Sequence, residues 1–147
     1  MRDDEERGMS RGVCFLLIGL LLAGFLLTGC GKPSYKDGVY TGRSGEDDTG
    51  AWGEVRITIT GERIADFQFV TRQKDGTIKD ENYGKVNGVI SNQDFYDKAQ
   101  LAVRAMEQYA RTYRETGDLK KVEAISGATI AFNQFTEAVE LALEGAK

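Results

Sequence analysis

The stretch Glu123-Ala124-Ile125-Ser126-Gly127-Ala128-Thr129 holds the residues of this chain with the most chemistry to offer. Just beyond it Phe132, Phe135, Val139 and Leu143 recur at helical spacing, so the pattern predicts a helix over 128–143 preceded by a short strand over 121–125. A strand that passes into a helix presents backbone N–H groups at the positive end of the helix dipole, a natural seat for phosphate. Gly127 would let an anion approach the backbone, Ala128 would keep the site small, and Ser126 and Thr129 would supply hydroxyls. On physics alone the signal is weak, because most Ser-Gly turns ahead of a helix serve only as caps.

Those residues need a scaffold, and the hydrophobic pattern supplies one. Residues 38–43 (GVYTGR) read as a first strand, and the Gly- and acid-rich stretch 44–53 as a loop. Val55, Ile57 and Ile59 alternate with Arg56 and Thr58, and Ala65, Phe67 and Phe69 share one side of the returning segment. A β-hairpin turned at Thr60-Gly61-Glu62-Arg63 follows. Residues 73–88 are polar and loop-like, with Asp75-Gly76 as a turn. Ser91 or Asn92 would cap a long helix over 94–116, with Phe95, Ala99, Ala102, Val103, Met106, Ala110 and Tyr113 as its buried stripe. Gly117 fits the position just past its C-terminus. The order β-β-β-α-β-α predicts an α+β domain, a small and mainly antiparallel sheet with two helices packed on one face.

Composition narrows the function. The chain has 147 residues, one proline, no histidine and a formal charge of −4. Without histidine, a Ser-His-Asp hydrolase, a histidine general base and a zinc enzyme are excluded or badly strained. No basic stripe stands out, which argues against nucleic acid as a partner. Glu46, Asp47 and Asp48 match no calcium-loop spacing and read as a solvated acidic loop, so no metal site is expected.

Residues 13–27 (VCFLLIGLLLAGFLL) carry no charge; the run suits a signal peptide and falls short of the roughly 20 residues a spanning helix needs. Leu27-Thr28-Gly29-Cys30 follows at once and looks like a lipobox, in which small residues admit the signal peptidase and the Cys30 thiol takes a diacylglyceryl group. The acidic opening MRDDEER suits a signal peptide badly, and Met9 before Ser10 and Arg11 makes a more normal start. An uncleaved anchor and a fortuitous Cys after a signal peptide are the other readings of this run; all leave the domain on the extracytoplasmic face of a bacterial membrane. The expected organisation is a lipoprotein signal peptide over 1–29, a lipidated tether over 30–36 and one domain over 37–147. Cys14 departs with the signal peptide and Cys30 is consumed by lipid, so no disulfide is expected. The short tether would keep function within reach of the bilayer.

The exported part resembles the FMN-binding domain found in the C subunit of the sodium-pumping NADH:quinone reductase, in its Rnf counterpart and in small surface lipoproteins. Residues 37–42 (DGVYTG) are similar to the family's opening strand, and Asp47-Asp48-Thr49-Gly50-Ala51-Trp52 with the following hairpin to its central section. Residues 75–83 (DGTIKDENY) look like the version in single-domain membrane lipoproteins. The family pattern at the helix is an acidic residue, two spacers, Ser or Thr, then Gly-Ala-Thr, and flavinylated members esterify the threonine oxygen to the phosphate of FMN. For this chain the resemblance implies FMN on Thr129, with Ser126, Gly127 and Ala128 as the surrounding turn and Glu123 as the acidic residue that the maturing flavin transferase reads. It also implies an electron carrier working between a membrane redox donor and an external acceptor. Two positions depart from the pattern. Glu123 stands where Asp is usual, adding a methylene, and Ala131 stands where Ser or Thr is common, removing a hydroxyl; neither change touches the acceptor oxygen.

Several other residues have a functional and a plain reading. Trp52, Tyr40, Tyr83 and Tyr96 could stack on a flavin, although aromatics in a small domain more often fill the core or anchor the surface. Lys79 could meet the phosphate or a flavin carbonyl, whereas most lysines are simply solvated. Tyr109, Ala110 and Tyr113 read as packing. The competing reading of the whole chain is a non-redox surface lipoprotein that keeps the fold as a ligand-binding or interaction module; Glu123 and Ala131 favour it, and the intact Ser-Gly-Ala-Thr favours the flavin. A surface reductase is a third reading, but the absence of histidine and of a second cofactor site favours an electron carrier over a stand-alone enzyme.

Overall fold

A computed structural model describes residues 34–147; the stretch read as a signal peptide and Cys30 lie outside the described residues. Strands β1 (Gly38–Arg43), β2 (Trp52–Thr60) and β3 (Arg63–Arg72) form one antiparallel sheet in the order β1-β2-β3. Helices α1 (Gln93–Thr116) and α2 (Thr129–Glu144) follow, separated by a 3-10 turn at Leu119–Lys121. Val55, Ile57, Ile59 and Phe67 form one core with residues of both helices, while Arg56 and Gln68 on the other sheet face are exposed. Among the described residues no helix is long and apolar enough to cross a membrane.

The hairpin is tighter than expected. Gly61 and Glu62 have φ of 58° and 61°, a two-residue turn whose left-handed backbone matches the twist of the strands it joins. Beyond it the register shifts: Thr58 faces Asp66, yet Ile59 faces Ile64. Ala65 is therefore the extra residue of a bulge and stays exposed, and Ile64 packs against the core in the place expected for Ala65.

Helix α1 begins behind Asn92, whose side chain accepts the Phe95 N–H at 3.0 Å, and ends at Gly117 with φ 63°. Its buried face differs from the expected stripe. Ala99, Ala105, Met106, Tyr109 and Tyr113 are buried, whereas Phe95 is 51% exposed and lies edge-on to Tyr83 with ring centroids 6.3 Å apart. The predicted fourth strand does not form. Val122 is buried and Ile125 packs against the core, so the stretch is extended and partly apolar. Its Ile125 N–H, however, donates to the Tyr109 hydroxyl at 2.9 Å instead of to a neighbouring strand.

Phe135 of α2 is fully buried and meets Phe67, Phe69, Tyr109 and Tyr113 with ring centroids 5.9, 5.0, 5.8 and 6.0 Å away. These tilted and edge-on contacts suit the ring quadrupoles. Helix α2 also lies hard against β1. A Cβ built on Gly42 would fall on the carbonyl oxygen of Ala138, so only glycine permits the approach. Replacing Gly42 with alanine is expected to cost about 2–3 kcal/mol, the scale of an overpacked core. Urea unfolding of Gly42→Ala checks this; an unchanged midpoint would contradict so close a contact.

Candidate functional site

The Ser126–Thr129 turn is built by three local constraints. The Ala128 N–H donates to the Ile125 carbonyl at 2.9 Å, which puts Ser126 and Gly127 at the corners of a tight turn. Gly127 has φ 84°, the value that the third position of a type II turn requires and that glycine adopts without strain. Its backbone also approaches α1 so closely that an added Cβ would sit 2.8 Å from Leu101 Cδ2. The Tyr109 hydroxyl, holding the Ile125 N–H, fixes the approach to this turn from below.

Helix α2 then starts bare. Its N-cap, Ala128, has no side chain to offer, and the first turn contains no acidic residue. The first N–H to find a helical acceptor is that of Phe132, which donates to the Ala128 carbonyl at 3.0 Å. The N–H groups of Thr129, Ile130 and Ala131 are thus the free donors of the helix start. Ser126 and Thr129 are both exposed beside them. Helix α1 differs, since Asn92 caps it and Asp94 lies in its first turn.

The remaining residues expected here divide. Glu123 is exposed on the approach to the turn. Ala128 is buried in the core, so its small size serves packing more than the mouth of the site. Ala131 is only 7% exposed and also belongs to the core, so a hydroxyl at that position would point inward, away from the open turn. Cys30 lies outside the described residues.

Sequence reasoning missed a polar cluster at the same end of the fold. Gln134, buried on α2, donates to the Ala51 carbonyl at 2.8 Å and to Asp47 Oδ2 at 3.4 Å. Asp47 Oδ1 accepts the Thr49 N–H at 2.8 Å, the Thr49 hydroxyl at 2.6 Å and the Ala51 N–H at 3.0 Å. Lys79 Nζ lies 3.9 Å from Asp47 Oδ2 and 5.1 Å from the centroid of the Tyr83 ring. The Lys79 and Asp47 side chains are 11% and 12% exposed, which corrects the reading of Asp47 as part of a solvated loop and the plain reading of Lys79 as a surface lysine. The loop that carries Lys79 and Tyr83 is held to α1 by Gln100, which donates to the Asp80 and Tyr83 carbonyls at 3.2 and 2.9 Å. The sequence offered Lys79 and Tyr83 singly as flavin contacts and the acidic run as a loop, but nothing in it brought them together.

Two open clefts flank that loop. One, of about 1080 Å³, is lined by Thr49, Lys79, Tyr83, Val86 and Phe95 among others; the second, of about 520 Å³, runs between β3 and α1 and also borders Lys79. Neither is lined by Ser126 or Thr129. Of the four aromatics singled out, only Tyr83 lines a cleft. Trp52 lies under the Arg43 guanidinium at 4.2 Å, Tyr40 packs by Gly145 with its hydroxyl donating to the Lys36 carbonyl, and Tyr96 lies under Lys85.

The model of the FMN-binding domain matches residues 50–144, from the β1–β2 loop to the end of α2. The chain belongs to the FMN-binding domain family. No curated protein matches it. Its fold is similar to the crystal structure of the CPE2226 protein from Clostridium perfringens, at a TM-score of 0.59 and 21% identity over 76% of this chain and 88% of that one. Within an FMN-binding domain, a bare helix start with free N–H groups and two exposed hydroxyls offers donors suited to a phosphate.

The carboxylates at this end have a consequence for acid stability. Burial works to raise the Asp47 pKa, but the bonds from Thr49 and Ala51 and the Lys79 charge outweigh it and leave the carboxyl below its ordinary value. Glu54 is likewise lowered, first by the Arg72 bond at 2.6 Å and then by Trp52. A carboxyl lowered on folding contributes stability fully above its unfolded pKa of about 4, and loses it as pH falls through the folded value. The melting temperature should therefore hold from neutrality to about pH 5 and decline below about pH 4. Asp47→Asn should make that decline shallower; an acid limb as steep as in the parent would contradict the assignment.

Proposed function

We propose that this protein is a lipid-anchored, extracytoplasmic flavoprotein that carries electrons through FMN esterified to Thr129. The observation that carries the reading is the bare start of α2 in an FMN-binding domain, with Thr129 exposed at the first helical position and Ser126-Gly127-Ala128 before it. The free N–H groups of Thr129, Ile130 and Ala131, with the Ser126 hydroxyl, would hold the phosphate oxygens, and the helix dipole favours their charge. A flavin transferase would mature the protein: the Thr129 O–H bond breaks, an Oγ–P bond forms, and the transferase's FMN donor releases its leaving nucleotide. Glu123, exposed next to the turn, is the residue such an enzyme would read.

Bound FMN supplies reversible one- and two-electron redox chemistry; the chain supplies attachment, position and local charge. A covalent bond suits an address outside the membrane, where escaped FMN would not be recaptured. It makes the off-rate that of ester hydrolysis.

Ser34 and the candidate site stand at opposite ends of the sheet. Ser34, the first described residue, donates its hydroxyl to Glu62 at the β2–β3 turn at 2.8 Å, and the Lys36 N–H donates to the Ala146 carbonyl. Asp47, Ala51 and Gln134 lie at the other end, where β2 begins. Nine residues of β2 separate these ends by about 30 Å. A diacylglyceryl group on Cys30 would keep the domain at the bilayer, within reach of a membrane redox donor and open to an external acceptor.

Full-length protein co-expressed with an FMN transferase should give a band on a denaturing gel that fluoresces under ultraviolet light, and Thr129→Ala should abolish it while leaving the circular dichroism intact. A dark parent band would instead support the non-redox interaction module, and flavin that washes off in denaturant would retain binding and reject the ester.

A further inference from the structure

Lysine is almost never buried without a close partner, yet the Lys79 side chain is 11% exposed and the nearest Asp47 oxygen is 3.9 Å away. That distance serves charge attraction but exceeds a hydrogen bond. An ammonium carries three donors, and among the described residues Lys79 Nζ donates no hydrogen bond to a protein group. Asp47, by contrast, is saturated by Thr49, Ala51 and Gln134. Burial accordingly lowers the Lys79 pKa, with the Asp47 charge restraining the fall. Lys79 borders both clefts, and its ammonium lies beside the Tyr83 ring.

This ammonium is coupled to the flavin-bearing helix. Asp47 bonds to Gln134, which lies five residues beyond Thr129 on α2, a rise of about 8 Å. A ribityl phosphate at Thr129 would cover that rise along α2 and carry its heterocycle toward the Asp47–Lys79–Tyr83 group.

Resting on the assignment of FMN to Thr129, we infer that Lys79 is a positioning residue that sets a positive charge beside the flavin ring and so governs how readily the flavin is reduced. Reduction adds two electrons and one proton to the ring and leaves it with one negative charge. A cation beside the developing charge favours the reduced form. Asp47 opposes it, being the negative charge nearest the ammonium. The two residues thus act on the flavin in opposite directions, which a merely structural ion pair would not do.

The test is a redox titration of the full-length flavinylated protein in detergent at pH 6.5, with dithionite as the electron donor and a mediator dye. Lys79→Met should lower the equilibrium constant for reduction at least tenfold, about 30 mV for a two-electron couple, and Lys79→Arg should restore most of it. Asp47→Asn, nearly the same shape, should raise it. Potentials unchanged in Lys79→Met and Asp47→Asn, with flavin still fluorescent on the denaturing gel, would overturn the role of Lys79 and leave the ester standing. A parent protein without flavin would overturn both. Should Lys79→Met fail to fold, the Asp47→Asn shift decides: upward supports the inference, none overturns it.

Discussion

Gly42 and Gly53 let α2 come down onto the sheet closer than any side chain would allow, and the rest of the arrangement depends on that seating. A Cβ at Gly42 would meet the Ala138 carbonyl, and one at Gly53 would sit 2.9 Å from a Phe69 ring carbon and 3.1 Å from Gln134. With the helix held this close, Phe135 fills the centre of the aromatic core and Gln134 reaches the Ala51 carbonyl. The start of α2 is then determined. The chain must arrive from Tyr109, turn at Gly127 and begin the helix at Thr129, behind a residue too small to cap it.

The same seating gives the domain two unlike ends. At one, Tyr35 packs against the core and the Lys36 N–H meets the end of the chain at Ala146, so the polypeptide enters and leaves close together. At the other, Asp47 gathers the β1–β2 loop, α2 and the loop after β3 into one polar group. Breaking a largely buried charge pair by removing one member is costly, because it strands the other. The Asp47–Lys79 contact is long for an ion pair, and the bonds that saturate Asp47 come from elsewhere. Such a pair holds its loops in place while leaving the ammonium available to a third group.

Much of this was legible in the sequence, for identifiable reasons. β1 is short and bounded by loop residues, and the Val55–Ile57–Ile59 alternation admits one face only, so both strands were placed correctly. Asn92 and Gly117 mark the ends of α1 because capping depends on neighbouring residues alone. The errors arose where distant residues decide. Strand parity around Ala65 depends on a bulge that the turn at Gly61-Glu62 imposes. Residues 121–125 read as a strand because Val122 and Ile125 are apolar and pack against the core, and apolar residues in an extended stretch do not reveal whether a neighbouring strand exists. At the candidate site, Ser126, Gly127 and Thr129 could be named because the turn is local. The burial of Lys79 could not, because its surroundings come from residues 47 and 83 and from the helix beyond.

The central claim is that one hydroxyl, at the uncapped start of α2, carries the flavin. Peptide mass mapping of the full-length protein, purified from cells that express a flavin transferase, addresses it most directly. Fragmentation of the peptide that follows Lys121 should place an added mass of FMN less one water on Thr129. The same mass on Ser126, or an unmodified peptide from cells with active transferase, would contradict the account.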